Sequence, residues 1–170
     1  IELSSRPVAI THANPAFYHP ALRNKSNTVL DALAESGGML GLSLYPFHLK
    51  NGSACTLQSF CEMIEQTVER IGIDQLGIGS DLCQNWGYDT LEWMRSGRWT
   101  FVADHGEGSA ADQRWPDQPE WFQGSSDLPN IKAGLAQRGF SEVDINKIMG
   151  NNWLRFFQAS FGPPATSDAV

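Results

Sequence analysis

The fold of this chain is decided at residues 56–81, which read TLQSFCEMIEQTVERIGIDQLGIGSD. Thr56 is a favourable N-cap, and the apolar residues that follow it recur every three or four positions: Leu57, Phe60, Cys61, Ile64, Val68 and Ile71. This spacing predicts an amphipathic helix that lies on a sheet and ends at Gly72. The apolar run Leu76–Gly79 follows at once and predicts a strand that leads directly to Asp81.

Two similar units precede this one. Pro7–Thr11 and Met39–Leu44 are predicted strands, and a helix capped by Asn27 and stopped at Gly37 is predicted between them. All three predicted strands are apolar without clean alternation, which is typical of parallel strands that are covered on both faces. The first half of the chain therefore predicts an α/β fold with three parallel strands and crossover helices.

The second half differs in composition. Residues 82–127 hold five of the six tryptophans and predict a long, folded and functional loop. Three helices are predicted after it, over Leu128–Arg138, Ser141–Met149 and Asn152–Phe161. We therefore expect residues 1–161 to form part of a single domain with an inserted tryptophan-rich loop, and residues 162–170 to form a frayed tail.

Composition excludes several classes of partner. The net charge is -7 with a pI near 4.9, and the basic residues are scattered, so no nucleic-acid partner is expected. No apolar run approaches the roughly 20 residues that cross a bilayer. Cys55, Cys61 and Cys83 lack a metal-binding spacing and are odd in number. They are interpreted as reduced thiols, which favours a cytoplasmic location.

Each predicted strand is followed by polar residues, and the carboxyl ends of parallel strands meet at one edge of a sheet. His12 follows the first strand, where a neutral imidazole could bind a metal or simply bond at the strand end. Asp81 follows the third, where its carboxylate could relay protons, bind a metal or cap a turn. Convergence of these residues predicts an active site.

Further polar candidates lie in the loops beside these strand ends. Arg23 could bind a substrate carboxylate through two parallel N–H···O hydrogen bonds, or it could form a surface ion pair. Tyr45 and His48, after the second strand, are candidate substrate-binding residues, whereas His19 and His105 are interpreted as solvated.

A series of short segments resembles the renal (membrane) dipeptidase family of zinc peptidases. The matching segments are, in order, Ser5–Val8, Thr11–Asn14, Leu22–Asn24, Gly38–Leu44, Gly77–Asp81, Arg138–Ser141 and Ile148–Arg155. Their order and spacing cover most of the chain outside residues 82–127. The resemblance implies a (β/α)₈ TIM-type barrel, of which this chain is the C-terminal portion with three parallel strands, crossover helices and closing C-terminal helices.

The resemblance also implies roles for individual residues. His12 matches the last histidine ligand of a binuclear zinc site, Arg23 matches the arginine that holds the substrate carboxylate, and Asp81 matches the aspartate that shuttles a proton. The residues from Tyr45 to His48 fall in a loop that lines the substrate pocket. The remaining zinc ligands belong to strands that would precede Ile1, so only one ligand is expected in this chain.

The function expected from the resemblance is metal-dependent hydrolysis of a small amide, in the first instance a dipeptide. The chain departs from the family after Asp81, where Leu82, Cys83 and Gln84 replace the Phe-Asp-Gly of many relatives. Two alternatives therefore stay open: hydrolysis of a different amide or a lactone, and a non-catalytic binding module.

We expect the barrel to be completed by a missing N-terminal segment, because Ile1 to Leu3 resemble the end of a helix. The chain alone is then expected to be inactive. The expected partners are this segment and a small peptide or amide substrate, and a homodimer is left open.

Overall fold

The computed structural model describes residues 1, 3–87, 89, 90, 93 and 115–162. Within them the chain forms an α/β unit of three strands and five α-helices. In chain order these are β1 (Ala9–Ile10), α1 (Asn27–Glu35), β2 (Met39–Leu42), α2 (Leu57–Ile71), β3 (Leu76–Ile78), α3 (Leu128–Gln137), α4 (Glu142–Asn146) and α5 (Asn152–Phe161). Residues 94–114 of the tryptophan-rich loop and 163–170 of the predicted tail lie outside the described residues.

The three strands form one parallel sheet in the order β1-β2-β3, as the sequence predicts. Ala9 pairs with Met39 and Leu40 pairs with Leu76. The strands are shorter than the predicted apolar runs, because regular pairing stops before the runs end. Parallel order and crossover helices place all three carboxyl ends at one edge of the sheet.

The core lies between the sheet and the helices. Leu30 and Leu33 of α1 and Phe60 and Ile64 of α2 have no exposed surface, and they cluster with the strand residue Leu40. Removing each such side chain from water stabilises the fold by about 1.5–3 kcal/mol. The predicted stripe of α2 is thus the packed face of the helix.

The helix caps follow the sequence closely, with one correction. Thr56 accepts from Ser59 N–H at 3.1 Å, and α2 ends at Gly72 with a φ of 85°. Helix α1 is capped by Ser26, not by Asn27: the Ser26 hydroxyl accepts from Val29 N–H, and Asn27 is the first helical residue. A serine hydroxyl one residue earlier can cap the helix in the same way as an asparagine carbonyl.

The closing helices are separated by a kink, as predicted. Ser141 caps α4 by accepting from Asp144 N–H at 3.2 Å, and the backbone between α4 and α5 is not helical at Gly150, where φ is 169° and ψ is -32°. At the start of the chain Ser4 N–H bonds to Ile1 C=O at 3.1 Å in a turn, and the helix end expected there stays a prediction. No helix in the described ranges is long and apolar enough to cross a membrane.

Helix α5 covers the outer edge of β3. Gly79 N–H bonds to Leu42 C=O, so by alternation the polar groups of Leu76 and Ile78 point away from β2. Asn152 Nδ2 donates to Leu76 C=O at 2.8 Å, and Trp153 Nε1 donates to Ile78 C=O at 2.9 Å. Two carbonyls that a further strand would reach are therefore bonded to side chains.

Candidate active site

The strands that lead to the predicted metal ligand His12 and the predicted catalytic residue Asp81 are both followed by a one-residue shift in the hydrogen-bond register, a bulge. In the register of β1 and β2, Gly41 C=O should accept from His12 N–H, but it accepts from Ala13 N–H at 2.9 Å. In the register of β2 and β3, Leu44 N–H should donate to Gly79 C=O, but it donates to Ser80 C=O at 3.2 Å. Such bulges re-aim side chains, and they are frequent beside active sites.

The two bulged strand ends touch each other. A Cβ built on Gly79 would lie 1.8 Å from Thr11 O, and one built on Gly41 would lie 2.1 Å from the same oxygen. Only glycine leaves room for the Thr11 carbonyl at these two positions. The residues that precede His12 and Asp81 are therefore packed together, as convergence of the strand ends predicts.

His12 is bonded through both ring nitrogens. Arg23 Nη2 donates to Nε2 at 2.8 Å, and Thr11 Oγ1 lies 2.8 Å from Nδ1. A guanidinium group can only donate, so Nε2 is the acceptor. In the neutral imidazole Nδ1 then carries the proton and donates to Thr11. The structure thus brings His12 and Arg23 into direct contact.

A buried network of asparagines lies behind this pair. The Asn14 side chain donates to Ser43 C=O at 3.0 Å and His48 C=O at 3.1 Å, and it accepts from Ser43 N–H at 2.9 Å. Asn24 accepts from Asn14 N–H at 2.9 Å and donates to His48 C=O at 3.0 Å. These bonds hold the loops after β1 and β2 together, two residues from His12 and next to Arg23.

His48 belongs to this network and not to an open surface. It has no exposed area, and Ser43 Oγ lies 2.8 Å from Nδ1. Ser43 Oγ also accepts from Tyr45 N–H at 3.1 Å, so this hydroxyl joins the backbone of the loop to the His48 ring. Nε2 is buried, and none of the residues that the structure describes forms a hydrogen bond with it. Burial, followed by the nearby charge of Arg23, lowers the pKa of His48 to about 4.

The predicted contact between His48 and a substrate therefore has no support in this structure. A ligand arriving from solvent cannot touch a side chain that has no exposed surface. The ring instead packs edge-on to Tyr45, with their centroids 5.2 Å apart. His48 is thus a buried residue that packs against Tyr45, and Tyr45 is the one of the two that lines the cavity.

Tyr45 and Asp81 line one cavity of about 320 Å³. The other described residues that line it are 82–85, 115, 116, 118 and 123. Asp81 is exposed and has a φ of 55°, a left-handed conformation that is uncommon outside glycine and enriched at functional positions. The cavity therefore places Asp81 beside the described ends of the tryptophan-rich loop.

Cys83, in the same cavity, is a poor candidate for a nucleophile. Burial and the neighbouring Asp81 charge raise the pKa of its thiol. A thiol with a raised pKa stays protonated at neutral pH, and the thiolate is the reactive form. All three cysteines are free, as the sequence predicts.

His12 fits a metal site as one ligand. Its Nε2 lone pair faces a cation, the Arg23 guanidinium, in the direction that a metal ion would also use. Among the described residues there is no group of three or more His, Cys, Asp or Glu side chains that could hold a metal. The described part of the chain therefore offers one imidazole and not a complete site.

Sequence reasoning missed two residues that the structure adds. Ser43 follows β2 as an ordinary small polar residue, and nothing in its sequence context indicated the bonds to Asn14 and His48. Gln118 lies within the loop that was predicted to be folded and functional, but no residue near it was singled out. Asn14 was part of the motif around His12. Its position two residues after His12 was the signal in the sequence that could have identified it as a residue that supports the site.

Comparison with known proteins identifies the family. A family model described as membrane dipeptidase, peptidase family M19, matches residues 1–92. The dipeptidase tcpJ of Claviceps purpurea is 26% identical over 156 residues, which are 91% of this chain and 30% of the relative. The dipeptidase ataJ of Aspergillus terreus is 26% identical over 157 residues, which are 91% and 31%. The chain thus spans about a third of the length of these relatives.

Solved structures share the fold. An amidohydrolase from Pseudomonas aeruginosa superposes with a TM-score of 0.80 at 30% identity, over 94% of this chain and 47% of that one. The metallopeptidase dipeptidase AC superposes with a TM-score of 0.71 at 22% identity, over 95% and 40%. The family model covers more than half of the 170 residues, and the matched range includes His12, Arg23 and Asp81. The chain therefore belongs to the membrane dipeptidase family, peptidase family M19.

Proposed function

We propose that this chain supplies one wall of the active site of a metal-dependent hydrolase that cleaves a small amide, in the first instance a dipeptide. The observation that carries the proposal is the packing of the Thr11 carbonyl against Gly79. This contact joins the strand end that carries His12 to the one that carries Asp81. The relatives named as dipeptidases support this substrate class. So does a related metallopeptidase of Rhodobacter sphaeroides, solved with a phosphinate mimic of L-Ala-D-Ala.

The side chains of this wall have separate roles in the proposal. His12 is one ligand of a zinc site through Nε2, with Nδ1 fixed by Thr11. Arg23 binds the substrate carboxylate with its planar fork of N–H donors. Asp81 holds a proton for the leaving amine, and Tyr45 shapes the cavity beside it. A bound zinc ion supplies Lewis acidity, which activates water and polarises a carbonyl group.

We further propose that strands from outside this chain complete a (β/α)₈ barrel. The chain covers 47% and 40% of the two solved structures described above. A two-ion zinc site would need additional ligands from those strands, so the chain alone should be inactive. A strand beside β3 would share Leu76 C=O and Ile78 C=O with α5, which is feasible because each carbonyl has two lone pairs.

A second candidate function is hydrolysis of another amide or a lactone in the same site. Two observations favour it. The structural neighbour with a TM-score of 0.80 is named an amidohydrolase and not a dipeptidase. The cavity wall after Asp81 is built from Leu82, Cys83 and Gln84, in a loop that is rich in tryptophan.

The experiment that tests the proposal compares Asp81→Asn with the natural sequence in the complete, zinc-loaded protein. Turnover of a dipeptide panel should fall by about 10²–10⁴-fold, the usual contribution of a positioned proton donor. Asp117→Asn is the matched control, since Asp117 is exposed and is not among the cavity-lining residues. Unchanged turnover in Asp81→Asn would refute the catalytic role. Turnover of acyl-amino acids or lactones, with none of dipeptides, would favour the second candidate.

A further inference from the structure

The loop that carries Arg23 is closed at its base beside His12. Lys25 N–H bonds to Asn14 C=O at 2.9 Å, and Ala16 N–H bonds to Lys25 C=O at 2.8 Å. Asn14 lies two residues after His12, and Lys25 lies two residues after Arg23. The backbone therefore brings the segments that carry His12 and Arg23 together at the base of this loop.

Asn24, the residue next to Arg23, crosses this base with its side chain. Oδ1 accepts from Asn14 N–H at 2.9 Å, and Nδ2 donates to His19 C=O at 2.8 Å and to His48 C=O at 3.0 Å. Each of these partners is a backbone group, and both amide protons are used. Asn24 is buried, so these bonds are shielded from water. The side chain thus ties the loop after β1 to itself and to the loop after β2.

The bonds of Asn24 require a carboxamide group. A carboxylate of the same shape only accepts, and it would face the two carbonyl groups of His19 and His48. An alanine would leave the buried Asn14 N–H without its acceptor. The backbone from which the Arg23 side chain extends is therefore fixed by bonds that neither substitute can form in full.

A fixed backbone matters here because the guanidinium group of Arg23 has to reach a defined point. Its Nη2 lies 2.8 Å from His12 Nε2, at the end of a side chain with several rotatable bonds. Such a group is held accurately only where its supporting residues are themselves fixed. A hydrogen bond weakens steeply when its donor moves out of line. The contact between Arg23 and His12 therefore depends on the bonds of Asn24.

We propose that Asn24 is a positioning residue, which holds Arg23 at His12 and thereby sets the preference of the site for substrates that end in a carboxylate. The carboxylate preference rests on the proposed function, in which Arg23 binds that group. The position of Arg23 does not, since it is set by contacts within the chain. Each of the two can therefore be measured without the other.

Nitrogen-15 NMR of the histidine rings tests the position of Arg23 in the complete protein without zinc. The resonance of His12 Nε2 should move when its donor is lost, and Arg23→Met supplies the reference for that loss. Asn24→Ala should move the resonance most of the way to this reference, and the double variant should coincide with it. Asn152→Ala is the matched control, because Asn152 is also buried and donates to two backbone carbonyls at 2.8 Å. It should leave the resonance unchanged.

Turnover of a dipeptide and of its C-terminal amide tests the preference in the complete, zinc-loaded protein. The natural sequence should prefer the dipeptide by about tenfold or more in kcat/KM, the value of a hydrogen bond to a charged group. Asn24→Ala should reduce this preference to about threefold or less, through a higher KM for the dipeptide and a nearly unchanged kcat. In an Arg23→Met background the same substitution should not change the preference. A general loss of stability would instead lower the turnover of both substrates alike, as expected for Asn152→Ala.

A milder variant, Asn24→Ser, guards against a folding defect, because its hydroxyl group can still form part of the bonding. It should give a smaller change in the same direction in both measurements. An unmoved His12 resonance in both variants overturns the positioning role. A moved resonance with an unchanged carboxylate preference overturns the link to the substrate and keeps the positioning role. Absence of any turnover by the natural sequence rejects the hydrolase, and the NMR result still decides the role of Asn24.

Discussion

Arg23 Nη2 donates a hydrogen bond to His12 Nε2 across 2.8 Å. The acceptor is the lone pair through which an imidazole binds a metal, so the guanidinium and a metal ion exclude each other at this nitrogen. If His12 is a zinc ligand, Arg23 has to leave Nε2 when the metal binds. It is then available for a substrate carboxylate. Under the proposed function, metal binding and carboxylate recognition would therefore be coupled through the side chain of Arg23.

Arg23→Met should therefore strengthen metal binding while weakening substrate binding. Loss of a hydrogen bond from a charged donor, worth about 1.5–3 kcal/mol, should tighten zinc binding by about 10-fold or more. The KM for dipeptides should rise because the carboxylate loses its partner. Zinc competition with a chromophoric chelator measures the first effect, with Arg70→Met as the control because Arg70 pairs with Asp31 on the surface. Unchanged or weaker zinc binding would contradict the coupling.

Asn14→Ala should destabilise the protein by about 2–4 kcal/mol. The substitution removes three hydrogen bonds and leaves Ser43 N–H buried without an acceptor. Chemical denaturation measures the free energy of unfolding, and Asn27→Ala, at an exposed helix start, should change it by less than about 0.5 kcal/mol. Equal effects of the two substitutions would show that the buried network contributes nothing specific.

Gly79→Ala should disrupt the contact between the ends of β1 and β3. The new Cβ would lie 1.8 Å from Thr11 O, so the backbone has to shift, at a cost of about 1–3 kcal/mol or more. Dipeptide turnover should fall as well, because the shift separates the residues before His12 and Asp81. Gly150→Ala is the control, since nothing lies within 4 Å of its built Cβ. A stable, fully active Gly79→Ala protein would disprove the close packing.

The pH dependence of stability should carry a contribution from His48. Its pKa is about 4 in the folded protein and 6.5 without perturbation, so the unfolded chain binds more protons between these values. The contribution is fully present above pH 6.5 and is lost as the pH falls through 4. It amounts to about 3 kcal/mol in total. In His48→Gln the free energy of unfolding should change less over this window, and identical pH profiles would contradict a buried neutral imidazole.

The sequence predicted the elements whose signals are local. The stripe of α2 between Thr56 and Gly72 was correct at both ends, because capping and hydrophobic periodicity act within one helix. The parallel sheet followed from three apolar runs separated by helices. The family assignment from the motifs around His12, Arg23 and Asp81 was also correct.

Interactions between distant residues could not be predicted in this way. The strand-end bulges arise because Ala13 N–H bonds to Gly41 C=O and Leu44 N–H bonds to Ser80 C=O. The sequence of one strand alone does not determine which residue of the neighbouring strand it bonds to. The burial of His48 depends on Asn14, which lies 34 residues earlier.

The cover over β3 has a consequence for the order of synthesis. Trp153 bonds to Ile78 from 75 residues further along the chain, so this bond can form only after α5 has left the ribosome. Until then Leu76 C=O and Ile78 C=O lack the two side-chain donors that α5 supplies. A chain shortened before Asn152 would lack both donors permanently.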